Sequence, residues 1–81
     1  METTVKIKII EMKMINYFEQ EYENAIQGIR RKYNKPTEVV FNAEQRMLGI
    51  ASFCQSLGIN YAYIEKMYNL YKEMLEELLT N

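Results

Sequence analysis

Hydrophobic residues alternate with lysines at the start of the chain and recur at helical spacing after it. Residues 3–10 place Val5, Ile7 and Ile9 on one face of an extended chain and lysines on the other. Such alternation of β-branched and charged residues is typical of an edge strand. We therefore predict a short strand at about 3–10, and the alternative is the frayed start of the first helix.

From about 11 to 33, apolar residues recur at steps of three and four. This spacing predicts a long amphipathic helix. Glutamates near its start and basic residues near its end suit the helix dipole. The sequence "NKP" ends the helix, because Pro36 disfavours helical geometry in the residue before it. The apolar stripe consists of Ile15, Phe18, Tyr22, Ala25 and Ile29, flanked by Ile26 and Tyr33.

The next stretch allows two interpretations. The run "VVF" favours a β-strand, and Asn42 followed by Gln45 resembles a capping box at the start of a helix. We therefore predict a second short strand at about 37–41 and a helix at about 43–57. The alternative is one helix from Thr37. In its favour, helical spacing continues through Val40, Ala43, Met47, Ile50, Cys54 and Leu57.

A glycine and an asparagine separate the second helix from the third. Gly58 fits a left-handed residue just past the helix end, with Ile59 packing back onto the preceding turn. Asn60 is a good N-cap for a third helix at about 61–79. The predicted fold is one mainly α-helical domain over residues 1–81. The third apolar stripe consists of Ile64, Met67, Tyr71, Met74 and Leu78, widened by Tyr68, Leu75 and Leu79.

The size and composition of the chain point to association with another chain. A domain of 81 residues has a thin core and gains stability from a disulfide, a metal or a partner subunit. Cys54 is the single cysteine and the sequence has no histidine, so we expect neither a disulfide nor a zinc site. Seven tyrosines and six methionines suit an interface. We therefore expect a homo-oligomer without cofactors.

Other classes of protein are disfavoured by what the sequence lacks. Without histidine or aspartate, the usual general bases and nucleophile activators are missing, and Cys54 falls on an apolar stripe, so we expect no enzyme. No apolar run reaches the roughly 18 residues of a membrane span. The start also lacks the pattern of a secretory signal. We expect a soluble cytoplasmic protein with no membrane partner.

The stretch "SFCQSLGINYAYIEKMYN" resembles the helix-turn-helix unit of DNA-binding proteins over about residues 50–69. In that family a small residue, a hydrophobic residue, glycine and a second hydrophobic residue precede the recognition helix. The matching residues here are Phe53 and Cys54, Leu57, Gly58 and Ile59 at the corner, and Ile64 and Met67 beyond it.

The resemblance implies a DNA-binding regulator whose third helix enters the major groove. Its outward residues Asn60, Tyr61, Glu65, Lys66 and Asn69 would then face bases, since asparagine and glutamate read base edges. The basic cluster, defined as Arg30, Arg31, Lys32 and Lys35, would hold phosphates. The net charge of −1 makes the chain as a whole no attractor of nucleic acid.

The alternative is a protein-binding module, such as a small phage-type inhibitor or adaptor. It would act through a tyrosine- and methionine-rich surface of the third helix. The side chains proposed for that surface are Tyr61, Tyr63, Tyr68, Tyr71, Met74 and Leu78. A positive face shared by residues 30–35 and the start of the third helix would favour DNA, and a basic cluster on the opposite side would favour protein.

Overall fold

Three α-helices make up the computed structural model, which describes residues 2–32 and 34–80. They are α1 (Glu2–Arg31), α2 (Pro36–Ser56) and α3 (Tyr61–Glu77), and these two ranges contain no β-strand. The prediction of three helices is confirmed, and both predicted strands are wrong. Tyr33, the predicted end of the first helix, lies outside the described residues.

The predicted strand at 3–10 is part of α1. Ile7 and Ile10 pack against the core from one side of the helix, whereas Val5 and Ile9 are exposed. Extending an existing helix adds one backbone hydrogen bond for each residue fixed. A strand would instead need a second strand to pair with, so the helix is favoured despite the alternation.

The predicted strand at 37–41 is the start of α2. Pro36 occupies the first turn of this helix, where its fixed φ is favourable and its missing N–H is not needed. Lys35 is extended, with φ −62° and ψ 139°, as the residue before a proline prefers. Val40 is buried, so the helical alternative accounts for this stretch, and Asn42 lies inside the helix rather than at its start.

The corner after α2 has the predicted geometry. Gly58 has φ +102°, in the region that favours glycine. Its N–H donates to the Gln55 carbonyl at 3.1 Å, and the Ile59 N–H donates to the Cys54 carbonyl at 3.2 Å. This pair of bonds is the Schellman motif. Ile59 is buried, which confirms that it packs back onto the bundle.

The start of α3 is also as predicted. The Asn60 side chain accepts a hydrogen bond from the Ala62 N–H at 2.8 Å, which makes Asn60 the N-cap. The helix ends at Glu77, two residues before the predicted end. It follows that the amide oxygen of Asn60 is already engaged within the chain.

Small and large side chains from all three helices form one core. Phe18 of α1 meets Tyr71 of α3 edge to face, with ring centroids 5.6 Å apart. The Tyr71 hydroxyl donates to Glu19 Oε1 at 3.3 Å, and we call Phe18, Glu19 and Tyr71 the closed seam. The buried residues are Met14, Phe18, Ala25, Val40, Ala43, Met47, Ala51, Cys54, Ile59, Ile64, Tyr71 and Leu75.

Two residues that the helix-turn-helix pattern places in the core are exposed instead. Phe53 points away from the bundle axis because it lies off the apolar stripe of α2. Leu57 is the C-cap residue, beyond the last helical turn, and it too is exposed. Ile59 and Ile64 are buried and Met67 is partly buried, as that pattern requires.

The bundle is elongated, measuring 46 × 19 × 17 Å. Its length matches that of α1, which has 30 residues, because a helix of that size spans about 45 Å. The end of α3 shares a surface cleft with Ile29 and Arg30 near the end of α1, so α1 and α3 run in the same direction. The intervening α2 runs opposite to both. None of the described helices is long and apolar enough to cross a membrane.

Candidate functional site

An open apolar groove runs between α1 and α2, with a volume of about 830 Å³. One end is bounded by an ion pair between Arg46 Nε and Glu21 Oε1 at 2.7 Å. We call this feature the α1–α2 groove. From α1 it is lined by Ile10, Lys13, Met14, Tyr17 and Glu21, and from α2 and its C-cap by Arg46, Gly49, Ile50, Phe53, Cys54 and Leu57.

The rim of the α1–α2 groove carries exposed apolar side chains from both helices. Tyr17 is 54% exposed, Phe53 is 63% exposed and Leu57 is also exposed. Gly49 lies one helical turn before Phe53, and a Cβ built there would meet no atom within 4 Å. The groove is therefore an aromatic-rimmed depression with a gap at Gly49, where no side chain projects from α2.

Buried Met14 and Cys54 form the floor of the groove. Met14 is fully buried, and Cys54 is buried with its pKa raised, because burial disfavours the thiolate. A buried thiol with a raised pKa is a poor nucleophile. The described residues also contain no group of three or more metal-ligating side chains. The groove thus offers shape and apolar surface.

The residues predicted to bind nucleic acid form two sets. Tyr61, Glu65 and Asn69 line a second, smaller groove between α2 and α3, and Lys66 is exposed beside it. The basic cluster lies at the other end of α2, where Lys32 and Lys35 border a cleft beside Pro36. The 21 residues of α2 separate the two sets by about 30 Å. The two sets therefore lie near opposite ends of α2.

The two helices flanking Gly58 lie side by side. Gln55 and Leu48 of α2 border the same groove as Tyr61 and Tyr68 of α3. One to two turns further along, Glu44 of α2 lies near Lys72 and Glu76 of α3. Contacts over the length of both helices are typical of an antiparallel helical hairpin. Helix-turn-helix units instead join their helices at about 90–120°.

The residues proposed for a protein interface on α3 are mostly occupied in packing. Tyr71 is buried in the closed seam. Tyr63 borders a cleft beside Met12 of α1, and it packs partly buried against the core. Tyr61 is the exposed member of the proposed set, at 60%. The remaining members, Tyr68, Met74 and Leu78, are partly buried against the core.

Sequence reasoning missed the α1–α2 groove. Tyr17 comes directly before the buried Phe18, and its position off the stripe of α1 is the signal that it faces outward. Phe53 likewise lies off the α2 stripe, but the helix-turn-helix pattern assigned it to the core. Two aromatic residues off the stripes of neighbouring antiparallel helices would have pointed to this surface.

Comparison of the chain with protein-family models, with curated proteins and with solved structures finds no match.

Proposed function

We propose that this protein is a non-enzymatic protein-binding module whose binding surface is the α1–α2 groove. The observation that carries the proposal is the cluster of exposed Tyr17, Phe53 and Leu57 around one depression. Aromatic residues are enriched in protein interfaces, and apolar side chains gathered on one face are more informative than single exposed ones. Such a groove fits the apolar face of a helix from another chain.

The charges around the groove suit a protein partner. Its two basic residues are Lys13 and Arg46, and Arg46 is already paired with Glu21. Most of the lining is apolar, which favours burial against another apolar surface over contact with phosphates. The rim charges give orientation to a partner rather than most of the affinity.

DNA binding is the competing proposal, and the geometry supports it less well. The start of α3 and the basic cluster are separated by the whole length of α2. Lys66 would then be the nearest basic residue among those predicted to face bases. A single phosphate contact yields weak, salt-sensitive binding.

Photo-crosslinking inside cells that produce the full chain tests the proposed surface. Benzoylphenylalanine replaces Phe53 in one variant and the exposed Leu70 of α3 in a matched control. We expect a covalent protein adduct from position 53 and none from position 70. The adduct is identified by mass spectrometry, and the identified protein must then bind the purified wild type and not Phe53→Glu.

No adduct at position 53, or equal adducts at both positions, would contradict the proposed surface. Selection from a random pool of DNA duplexes tests the competing proposal in parallel. We expect no duplex to be enriched. Enrichment that is lost in Asn60→Ala with Lys66→Ala would favour DNA binding instead.

A further inference from the structure

We infer that the occupant of the α1–α2 groove is the same groove of a second copy of this chain. The two copies pair antiparallel about a two-fold axis, with Phe53 of each copy in the Gly49 gap of the other. This inference rests on the proposed function, since it names the partner of that same surface. A two-fold pairing of this kind requires a surface that is complementary to itself.

Gly49 and Phe53 supply that self-complementarity. They are one helical turn apart on α2, so they lie on the same side of the helix, about 6 Å apart along its axis. In an antiparallel α2 pair, placing one Phe53 opposite Gly49 of the second copy automatically places the other Phe53 opposite the other Gly49. Each Phe53 is 63% exposed, and each Gly49 has open space where a side chain would stand, so a projecting ring twice meets a position without a side chain.

The same pairing brings opposite charges together across α1. The Arg46–Glu21 ion pair fixes the register of α1 against α2 within one copy. With Gly49 opposite Phe53, Lys13 of one copy comes within about 3 Å, measured along the helix axis, of Glu21 in the other. Arg46 bonds Oε1 of Glu21, which leaves Oε2 for Lys13. Lys13 has no ion pair within the described ranges.

The chain exposes more surface than an average folded monomer of its mass. A folded monomer of 9.7 kDa exposes about 5,100 Å² on average, whereas this chain exposes 5900 Å². The excess of about 800 Å² equals the share that each partner buries in an interface of standard size. A long, narrow bundle with an open groove is therefore the shape expected of one half of a dimer.

Sedimentation equilibrium and light scattering of the purified full chain test the inference. We expect twice the mass of the 9.7 kDa chain at about 0.1 mM protein. Phe53→Glu should weaken association about thirtyfold or more, because it places a charge in a desolvated interface. Leu70→Glu is the matched control, since Leu70 is also exposed but lies outside the groove, and it should leave the mass unchanged.

A larger side chain at Gly49 tests whether Phe53 of the second copy lies opposite this position. Gly49→Met should abolish the dimer, whereas Gln45→Met adds the same side chain to an exposed position of α2 outside the groove and should preserve it. Circular dichroism and urea unfolding check that each variant remains folded. A folded Gly49→Met that stays dimeric would overturn the inferred contact.

The two proposals fail in different ways. A wild type that is monomeric throughout overturns the inferred dimer, whereas adducts at position 53 with another protein would still support the groove as a binding surface. A dimer that persists in both Phe53→Glu and Gly49→Met uses another face and overturns the inference. Absence of any adduct at position 53 contradicts the proposed function itself.

Discussion

Phe18 and Tyr17 are neighbours in α1 with opposite surroundings. Phe18 is 0% exposed and is covered by Tyr71 of α3 in the closed seam. Tyr17 lies about 100° around the helix, on the rim of the α1–α2 groove, and is 54% exposed. The bundle thus closes one side of α1 with a third helix and leaves the other side open. The open side exposes Tyr17 together with Phe53 and Leu57 of the neighbouring α2 and its C-cap.

The largest expected effect is on the free energy of unfolding, and it should differ between alanine substitutions of these two aromatic residues. Phe18→Ala should lower the free energy of unfolding by about 3–5 kcal/mol, because it removes a fully buried ring and leaves a cavity. Tyr17→Ala should cost less than about 1 kcal/mol in the monomer. Urea unfolding at protein concentrations at which the chain is monomeric by light scattering measures both. Equal losses would show that the two sides of α1 do not differ as described.

The hydroxyl of Tyr71 should contribute less than the rings of the closed seam. Tyr71→Phe removes its hydrogen bond to Glu19 and should cost about 1 kcal/mol at neutral pH. Tyr61→Phe is the matched control and should have little effect, because that ring is 60% exposed. A Tyr61→Phe loss as large as that of Tyr71→Phe would contradict the assigned role of this bond.

The pH dependence of Tyr71 provides a second measurement. Burial, followed by the nearby Glu19 carboxylate, raises the pKa of Tyr71 above its ordinary value of 10.0. Since the folded pKa is the higher one, its contribution to stability is complete below about pH 10 and is lost as the pH rises through the folded pKa. Wild type should therefore lose more stability above pH 10 than Tyr71→Phe does. Parallel losses would contradict this assignment.

Substitution of two glycines distinguishes the open α1–α2 groove at Gly49 from the packed end of the α1–α2 contact at Gly28. Gly49→Ala should raise the free energy of unfolding of the monomer by about 0.5–1 kcal/mol, since the new Cβ meets nothing. Gly28→Ala should gain less, because its Cβ would lie 3.4 Å from Val39 Cγ1. Thermal or urea unfolding of the monomers gives both values. A larger gain at Gly28 would mean that this end of the contact is also loosely packed.

The smallest effect concerns a carboxylate between α2 and α3. Glu44 Oε1 is buried without a hydrogen-bond partner in the described part of the chain. Burial and the nearby Glu76 raise the pKa of Glu44, against an opposing effect of Lys72. Glu44→Gln should therefore stabilise the protein by about 0.5 kcal/mol at neutral pH.

The sign of the Glu44 effect can be followed by titration. Because the folded pKa exceeds the ordinary value of 4.5, the favourable contribution of Glu44 is present below that value and is lost as the pH rises through the folded pKa. The advantage of Glu44→Gln in unfolding experiments should accordingly appear as the pH is raised from about 4 to about 7. An advantage that is greatest at the acidic end of this range would contradict the assignment.

Local signals in the sequence predicted the helices and the corner. The spacing through Phe18 and Ala25 indicated α1, and Gly58 with Asn60 located the turn to within a residue. The strand predictions failed because alternation in a short segment cannot reveal whether a partner strand exists. In residues 3–10, Ile7 and Ile10 also lie at helical spacing with the fully buried Met14, whereas the alternating Val5 and Ile9 are exposed.

The candidate site was less predictable than the fold. Whether Phe53 is core or surface depends on how α2 is rotated against α1 and on which side α3 covers, and both are tertiary properties. The sequence placed Tyr71 on the apolar stripe of α3, but it could not show that the ring meets Phe18 and that the hydroxyl donates to Glu19 in the closed seam. The composition did indicate adaptable aromatic surface, but it could not place that surface on α1 and α2.

The two short connections have a consequence for the rate of folding. They cover only 32–35 and 57–60, so α2 can pack against either neighbour with little loss of loop entropy. The closed seam is different, because Tyr71 and Glu19 are 52 residues apart. Helical proteins dominated by local contacts fold in about microseconds to milliseconds. We expect this chain to fold on that timescale, with two helical hairpins forming early and the junction of α1 with α3 completing the transition.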